Sequence, residues 1–276
     1  MNTTTIIEQY ITEALAGKAI NTAKAYRHSL IKFAEYLDGS GTDLTGYGRV
    51  DVQQYIAYLQ GKQRSPGGVN REIAAVKSYS IYAGKSDTIE GLRMTKAPRH
   101  TREAPEWLER TKVNEILRTA DRKTNKRDYA IIMTLLGCGL RVSELAALDR
   151  GDVEISERKG TLYVRSGKGD VARTISIPAE TRQAITVYLA QRTDNLNALF
   201  TSQLNKRISV RSIQSMLNEY EINPHQLRHT FIKRLVDNNT PVATIQSLTG
   251  HASVEMIAWY SQPSADDKQA AVDAIF

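Results

Sequence analysis

Cysteine is almost absent from this sequence. One of the 276 residues is a cysteine, Cys138 in "LGCGL". A single cysteine cannot form an intrachain disulfide, so a disulfide-stapled secreted domain is excluded and a cytoplasmic setting is expected. We expect Cys138 to be a small core residue.

Long hydrophobic runs and clustered acidic residues are also missing. The longest mostly apolar stretch, "YAIIMTLLGCGL", runs from Tyr129 to Leu140, whereas a transmembrane helix needs about 20 residues. The start, "MNTTTIIEQYITEALAGKAI", has no basic stretch followed by an apolar run, so no signal peptide is predicted. The acids do not recur in the arrangement that holds catalytic divalent cations, so no metal site is expected.

Positive charge is in excess. Lysine and arginine number 37 against 30 acidic residues, which leaves a formal net charge of +7. A basic balance suggests an anionic partner, and nucleic acid is the commonest candidate.

The chain divides near residue 100, and the first part has the periodicity of helices. Helices are predicted in "NTAKAYRHSLIKFAEYL", with Asn21 or Thr22 as cap, in "DVQQYIAYLQG", with Asp51 as cap, and in "VNREIAAVKSYSIYAG". The segment "MTKAPRHTREAPEW" then combines two prolines with basic residues and has no periodicity. It is interpreted as an interdomain linker, with a long surface loop as the alternative.

The second part mixes helices and strands. Helices are predicted at 111–120, 127–138, 143–148, 180–192 and 209–219, and "TLYV" and "ARTISI" are predicted strands joined by the turn "SGKGD". Another helix should begin with Asn223 as cap and Pro224 in its first turn. The next should use Thr240 and Pro241 in the same way and end at Gly250. A last short helix is predicted in "SVEMIAWYSQP".

The stretch "INPHQLRHTFIKRL" concentrates cationic and proton-transferring groups on one helical face. His225, Arg228 and His229 have the spacing i, i+3, i+4, so they share a face near the positive end of a helix dipole. This arrangement suits an anion. The alternative is a solvated basic face with one core histidine.

Four further residues, namely Arg141, Lys168, His251 and Tyr260, stand in positions that suit a ligand. Arg141 follows a glycine-flanked bend, and Glu144, three residues later, is able to hold its guanidinium; an ordinary helical salt bridge is the alternative. Lys168 lies at the tip of a glycine-rich hairpin turn, where it is either a ligand contact or a plain turn lysine. His251 in "LTGHAS" comes just after a helix end, and Tyr260 follows it.

In order and spacing, these motifs resemble the tyrosine recombinase family, also called phage-type integrases, which includes the Xer-type recombinases and Cre. The resemblance rests on "GLRVSEL", the lysine hairpin, "HQLRHTF", "TGHAS" and the tyrosine. "SPGGVNREIAAVKSYSIYA" also looks like the family's core-binding domain, and Arg71 and Lys77 within it are predicted to contact DNA. An Xer-like or transposon-encoded recombinase is therefore expected.

The resemblance implies a mainly α fold of two domains that form a C-shaped clamp on duplex DNA. Residues 1–96 would be a helical, SAM-like core-binding domain and 97–106 the linker. Residues 107–276 would be an α-rich catalytic domain with a small antiparallel sheet, the DNA breaking-rejoining enzyme fold, and 261–276 its C-terminal tail.

The resemblance also implies a mechanism. Tyr260 would attack a DNA phosphodiester and form a 3′-phosphotyrosyl bond, without metal, ATP or other cofactor. Arg141 and Arg228 would stabilise charge on the phosphate, a task that suits bidentate guanidinium groups, and Lys168 would be the general acid. His225 and His251 would hydrogen-bond the phosphate, and His225 can also take the phenol proton. Glu144 would support the pocket, and His229 receives no catalytic step.

The expected partners are a double-stranded recombination site and further copies of the chain. The family implies a tetramer on two DNA sites, with the tail packing on a neighbouring subunit; packing on its own domain is the alternative. Two other functions are weighed against recombination: DNA relaxation of the type IB topoisomerase kind, and DNA binding without recombination.

Overall fold

The computed structural model describes residues 2–93, 106–165, 172–250, 254–260 and 272–273. The chain divides into two compact units, Met1–Arg102 and Glu103–Phe276. The predicted linker, 97–106, lies outside the described residues except for Glu106, and so does the predicted hairpin turn at 166–170. Within the described ranges, no helix is long and apolar enough to cross a membrane.

The first unit is a bundle of helices that bury their apolar stripes against one another. Leu30, Phe33 and Leu37 are fully buried, as their spacing in the sequence predicts. Tyr10 and Tyr79 contact each other edge to face, with ring centroids 5.4 Å apart. The helices are α1 (Thr3–Ala14), α2 (Ile20–Gly39), α3 (Arg49–Gly61) and α4 (Pro66–Tyr82), followed by a short 3-10 helix (Ser86–Ile89).

Two predicted helix caps in this unit are wrong. Helix α2 begins at Ile20, because the carbonyl of Ala19 already accepts hydrogen bonds from the N–H groups of Thr22 and Ala23. Asn21 and Thr22 therefore lie inside the first turn. Helix α3 is capped at Gly48, and the carboxylate of Asp51 reaches back from the first turn to accept the Gly48 N–H at 2.7 Å.

The second unit is α-rich with one small sheet. Its strands β1 (Val153–Ile155), β2 (Gly160–Val164) and β3 (Arg173–Ser176) form an antiparallel sheet in the order β1-β2-β3. Its helices are α5 (Arg110–Arg122), α6 (Arg127–Cys138), α7 (Val142–Ala147), α8 (Ala179–Ala190), α9 (Val210–Asn218), α10 (Pro224–Asp237), α11 (Val242–Thr249) and α12 (Val254–Tyr260). Each predicted helix of this unit is present, with ends that differ by one or two residues.

Strand β1 is absent from the sequence prediction. It is three residues long, too short for an alternating pattern to stand out, and it forms by pairing Val153 opposite Leu162 of β2. Leu162 in turn faces Ile175 of β3 and is fully buried. Tertiary pairing therefore creates this strand where local propensity does not.

Helix α6 is the centre of the second unit. Ala130, Ile131, Ile132 and Leu135 are all at most 1% exposed, so this helix is apolar on every side and packs against α5, α8 and α10. Cys138 is fully buried, as predicted for a core residue, and burial raises the pKa of its thiol to about 12.

Helix α10 begins as the sequence predicts, and α11 begins one residue late. The Asn223 side chain accepts the Gln226 N–H at 3.0 Å, the Gln226 side chain accepts the Asn223 N–H at 2.9 Å, and Pro224 opens the helix. In α11 the capping position is occupied by Pro241 rather than Thr240. The Pro241 carbonyl is the first acceptor, and its extended backbone precedes the helix.

Gly139 joins α6 to the functional part of this unit. It ends α6 in the left-handed conformation, with φ of 61°, and its N–H bonds to the Leu135 carbonyl. A Cβ atom at Gly139 would overlap the ring of Phe231 on α10. Glycine is therefore required both for the backbone turn and for the packing of α10 against α6.

We expect Gly139→Ala to lower the free energy of unfolding of the second unit by about 2–4 kcal/mol, from left-handed strain and overpacking together. Tryptophan fluorescence during chemical denaturation measures this, because both tryptophans, Trp107 and Trp259, lie in this unit. The matched control is Gly151→Ala, where a Cβ meets nothing within 4 Å, and we expect a change within about 0.5 kcal/mol. Equal stability of the two variants would contradict the assigned role of Gly139.

Candidate active site

Three arginines converge on three consecutive carbonyls at the C-terminal end of α11. Carbonyls in the last turn of a helix have no intrahelical partner and lie at the negative end of its dipole, so they attract cationic donors. Arg173 Nε donates to Leu248 O at 2.8 Å, Arg228 Nη2 to Thr249 O at 2.7 Å, and Arg141 Nη2 to Gly250 O at 2.8 Å.

Glu144 is the carboxylate that serves this cluster. Arg141 is the N-cap of α7, and Glu144 in the first turn accepts both the Arg141 N–H at 2.8 Å and its Nη1 at 2.9 Å. Arg173 donates to both Glu144 oxygens from Nη1 and Nη2, each at 2.9 Å. Burial acts to raise the pKa of Glu144, but the hydrogen bonds from Arg173 and the Arg141 N–H outweigh it, so the pKa is lowered. Glu144 is therefore ionised at neutral pH.

Arg228 on α10 completes the cluster. Its Nη1 donates to Gly139 O at 2.6 Å, in addition to the Nη2 bond to Thr249. Burial, followed by the nearby positive charges of Arg141 and Arg173, lowers the pKa of Arg228 to about 10. It remains protonated at neutral pH, so three cations share one carboxylate and the cluster carries a net charge of +2. Such a pocket favours an anionic ligand.

Tyr260, the last residue of α12, is buried beside this cluster. It is 1% exposed and packs with Ile232, Ile245 and Ile257. Burial raises the pKa of its phenol to about 12, and the positive charge of Arg228 partly offsets this effect. The phenol is therefore protonated at neutral pH, and its oxygen is hydrogen-bonded to His229 Nδ1.

His229 contacts the phenol through Nδ1 of its ring. Burial, followed by the charges of His225 and Arg228, lowers the pKa of the imidazole, so the ring is neutral at neutral pH and Nδ1 accepts from Tyr260 in the tautomer that carries its proton on Nε2. The ring of Trp107 lies 6.3 Å from that of Tyr260, between ring centroids. His225 is solvent-exposed, and its ring lies 6.3 Å from that of His229. Sequence reasoning assigned His229 no step, yet among the histidines that the structure describes it is the one that contacts the tyrosine.

The predicted site residues fall into three groups. Arg141, Glu144, Arg228 and Tyr260 come together, with His225 on the exposed side of α10. Lys168 and His251 lie outside the described residues. The predicted DNA contacts are both on α4 in the first unit: Arg71 is exposed, whereas the ammonium of Lys77 already donates to Leu92 O at 2.7 Å.

Sequence reasoning also missed Arg173. Its side chain is 6% exposed. The alternation of residues along β3 could have predicted this burial from the sequence. Residues two apart on a strand face the same way, and Ile175 is 1% exposed. An arginine on the buried face of a strand needs a partner.

No group of three or more histidine, cysteine or acidic side chains among the described residues could hold a metal ion.

The chain matches two family models. The phage integrase family matches residues 106–266, and the phage integrase N-terminal SAM-like domain matches residues 7–85. This chain belongs to the phage integrase family. The match extends to both compact units, and it confirms the mainly helical fold with a SAM-like first domain and a small antiparallel sheet.

Curated relatives match over most of their length. The chain is 32% identical to tyrosine recombinase XerA of Pyrococcus furiosus, covering 97% of this chain and 93% of that protein. It is 26% identical to tyrosine recombinase XerC of Staphylococcus aureus, covering 88% and 86%. The resemblance to tyrosine recombinases is thereby confirmed.

Solved structures share the fold of this family member. The Tn1549 transposon integrase in complex with circular intermediate DNA matches with a TM-score of 0.73 at 19% identity, covering 99% of both chains. XerH recombinase bound to its difH substrate matches with a TM-score of 0.70 at 18% identity, covering 96% of this chain and 83% of that one.

Because Tyr260 is buried and bonded to His229, its phenol should be poorly accessible to a modifying reagent. We expect N-acetylimidazole to acetylate Tyr260 much more slowly than Tyr58 or Tyr163, which are 43% and 40% exposed. His229→Leu should increase acetylation of Tyr260, because an unpartnered buried hydroxyl costs about 1–3 kcal/mol. Peptide mass spectrometry after timed acetylation gives the rates.

Two further variants separate this contact from general loosening. His229→Asn keeps an acceptor near the Nδ1 position and should protect Tyr260 better than His229→Leu. His28→Leu, at an exposed histidine of the first unit, should leave Tyr260 unchanged. Acetylation of Tyr260 at the rate of Tyr58 in the unaltered protein would rule out the buried phenol.

Proposed function

We propose that this protein is a site-specific DNA recombinase that cleaves and rejoins DNA through a 3′-phosphotyrosyl intermediate, with Tyr260 as the nucleophile. The observation that carries the proposal is the pairing of Arg141 and Arg228 on adjacent carbonyls of α11, with the Tyr260 phenol in the field of Arg228. Family membership supports it, since the curated relatives named above are tyrosine recombinases.

The chemistry explains why these groups are needed. The phenol oxygen attacks phosphorus, a bond to the tyrosine forms, and the bond to the 5′-oxygen breaks. Negative charge develops on the non-bridging oxygens, which the guanidinium groups of Arg141 and Arg228 stabilise by bidentate hydrogen bonds. The phosphodiester energy is retained in the covalent intermediate, so a 5′-hydroxyl of another strand can reverse the step without ATP.

Proton transfer is the second requirement. A phenol with a pKa of about 12 must lose its proton as it attacks, and the departing 5′-oxygen must gain one. His229 Nδ1 is hydrogen-bonded to the phenol oxygen and is one proposed acceptor of the proton, and His225, one turn away, is the acceptor expected from the family resemblance. Lys168 is proposed as the acid and His251 as a phosphate ligand, both from their motifs in the sequence. Glu144 is proposed to support Arg141.

Duplex DNA is the proposed partner. The structural relatives include an integrase and a recombinase solved with DNA, and a net charge of +7 favours phosphate contacts. Arg71, exposed on α4, is a proposed DNA contact. Lys77 is a second proposed DNA contact, which requires its ammonium to give up the hydrogen bond to Leu92 O. Binding should weaken with salt.

A tetramer on two DNA sites is proposed from the family resemblance. Its tail, 261–276, would pack on a neighbouring subunit. Val272 belongs to the tail's apolar face, and its 51% exposure supports packing outside its own chain. A cytoplasmic location is proposed as well, and movement of a transposon is one role that the Tn1549 integrase relative supports.

We expect Tyr260→Phe to bind its DNA site normally and to form no covalent adduct, because the variant loses only the attacking oxygen. The substrate is a duplex nicked beside the scissile phosphate, from which the released strand end diffuses away, and denaturing gels measure the trapped adduct. Tyr163→Phe, at a half-exposed tyrosine of β2, is the control that should keep forming adducts. An adduct in Tyr260→Phe would refute the nucleophile, and relaxation of supercoils without joining two sites would favour a topoisomerase.

We expect Lys168→Ala to slow cleavage of a normal phosphodiester by roughly 10²–10⁴-fold, the usual contribution of general acid catalysis. A substrate with sulfur in place of the 5′-bridging oxygen should restore most of this loss, because a thiolate leaves without being protonated. Lys159→Ala, at an exposed lysine between β1 and β2, should cleave both substrates normally. If both substrates are equally impaired in Lys168→Ala, the lysine is not the acid.

A further inference from the structure

We propose that Arg173 is a positioning residue for the recombination chemistry, which acts by orienting the Arg141 guanidinium through their shared partner Glu144. The inference rests on the proposed function of Arg141 as a phosphate ligand. Arg173 would not itself touch the DNA.

The first step is that Arg173 is committed to the protein. Each of its three guanidinium nitrogens donates to another group: Nε to Leu248 O at 2.8 Å, and Nη1 and Nη2 to the two Glu144 oxygens at 2.9 Å. The Arg173 side chain is 6% exposed, whereas that of Arg141 is 31% exposed. Arg141 is therefore accessible to a phosphate and Arg173 is not.

The second step is that Arg173 fixes the orientation of the Glu144 carboxylate. A planar guanidinium and a planar carboxylate joined by two parallel hydrogen bonds fix each other's orientation. Because Arg173 occupies both oxygens, Arg141 reaches Glu144 through Nη1 of its guanidinium, and its Nη2 turns to Gly250 O. Without Arg173, the Glu144 carboxylate would be held by the N–H and Nη1 of Arg141, and it could then turn to take the Arg141 guanidinium into a bidentate pair. That pair would compete directly with bidentate binding of a phosphate.

The third step is that Arg173 connects the segments that carry the other proposed groups. It lies on β3, five residues after Lys168, and it bonds Leu248, three residues before His251. Gly250 has φ of 60°, and a Cβ there would lie 3.1 Å from Arg173 Nη1 and 3.4 Å from Cζ. The absence of a side chain at Gly250 thus lets the guanidinium of Arg173 lie directly against the end of α11.

The test is the rate of covalent adduct formation on the nicked duplex in single-turnover conditions. Arg173→Lys keeps the charge and loses the two-pronged contact, so Arg141 is held less firmly. We expect a loss of about 10²-fold in rate, the size expected for a misplaced catalytic group. Binding of the DNA site in gel shifts should stay within about 3-fold, a change under 1 kcal/mol. Arg182→Lys is the matched control, since Arg182 also donates to backbone carbonyls, those of Ile177 and Glu157, and its rate should not change.

Two further measurements separate positioning from a general structural defect. First, a scissile methylphosphonate carries no negative charge, so it does not need Arg141, and it should remove most of the defect of both Arg141→Ala and Arg173→Lys. Second, the double variant of these two substitutions should be no slower than Arg141→Ala alone, because Arg173 acts through Arg141.

The outcomes distinguish this inference from the proposed function. If the unaltered protein forms no adduct, or if Arg141→Ala forms it at the normal rate, the proposed function fails. If Arg141→Ala is defective while Arg173→Lys stays within about 3-fold of normal, only the role of Arg173 is overturned. Independent, multiplying losses in the double variant, or no rescue of Arg173→Lys by the methylphosphonate, also overturn it.

A paired variant covers the case in which Arg173→Lys does not fold. Glu144→Gln/Arg173→Gln removes both charges of the buried pair, so no unpaired carboxylate remains. We expect it to fold, as judged by tryptophan fluorescence, and to form adducts about 10²-fold more slowly. A normal rate in this folded variant overturns the inference.

Discussion

The rest of the site depends on the hydrogen bonds that three arginines donate to the carbonyls at the C-terminal end of α11. Three guanidinium groups gather there around one carboxylate, and like charges in a buried place repel one another strongly. Arg228 shows the effect, because burial and its cationic neighbours lower its pKa to about 10. Backbone carbonyls supply the hydrogen-bond acceptors that a second carboxylate would otherwise supply, without adding a formal negative charge. The pocket therefore stays folded while it remains positive enough to attract a phosphate.

The position of this pocket follows from the core of the second unit. Helix α6 is buried on every side and ends at Gly139, whose carbonyl accepts a hydrogen bond from Arg228. The ring of Phe231 fits against Gly139 because that residue has no side chain. The packing of α10 on α6 thus fixes both the contact of Phe231 with Gly139 and the position of the Arg228 guanidinium. A shift of α10 relative to α6 would change both.

The surroundings that place the Tyr260 phenol also keep it protonated at neutral pH. Burial raises its pKa to about 12, which keeps the proton on the oxygen at neutral pH, and the oxygen is hydrogen-bonded to His229 Nδ1. Arg228 opposes this effect, since its charge favours the phenolate. Attack by this phenol on a phosphate therefore requires removal of its proton.

The sequence by itself determined the features that depend on neighbouring residues. Helical periodicity, the cap at Asn223 with Pro224 after it, and the burial of Cys138 follow from local chemistry, and the motifs around Arg141, Arg228 and Tyr260 identified the family. Only the tertiary structure decided the contacts that span long stretches of chain: Arg173 with Glu144 and Leu248, which are 29 and 75 residues away, and Tyr260 with His229, 31 residues away. The same holds for strand β1, which exists only through its pairing with β2. Periodicity and capping read short-range order, whereas an ion pair between distant segments depends on how the core packs them, and no local pattern encodes that distance.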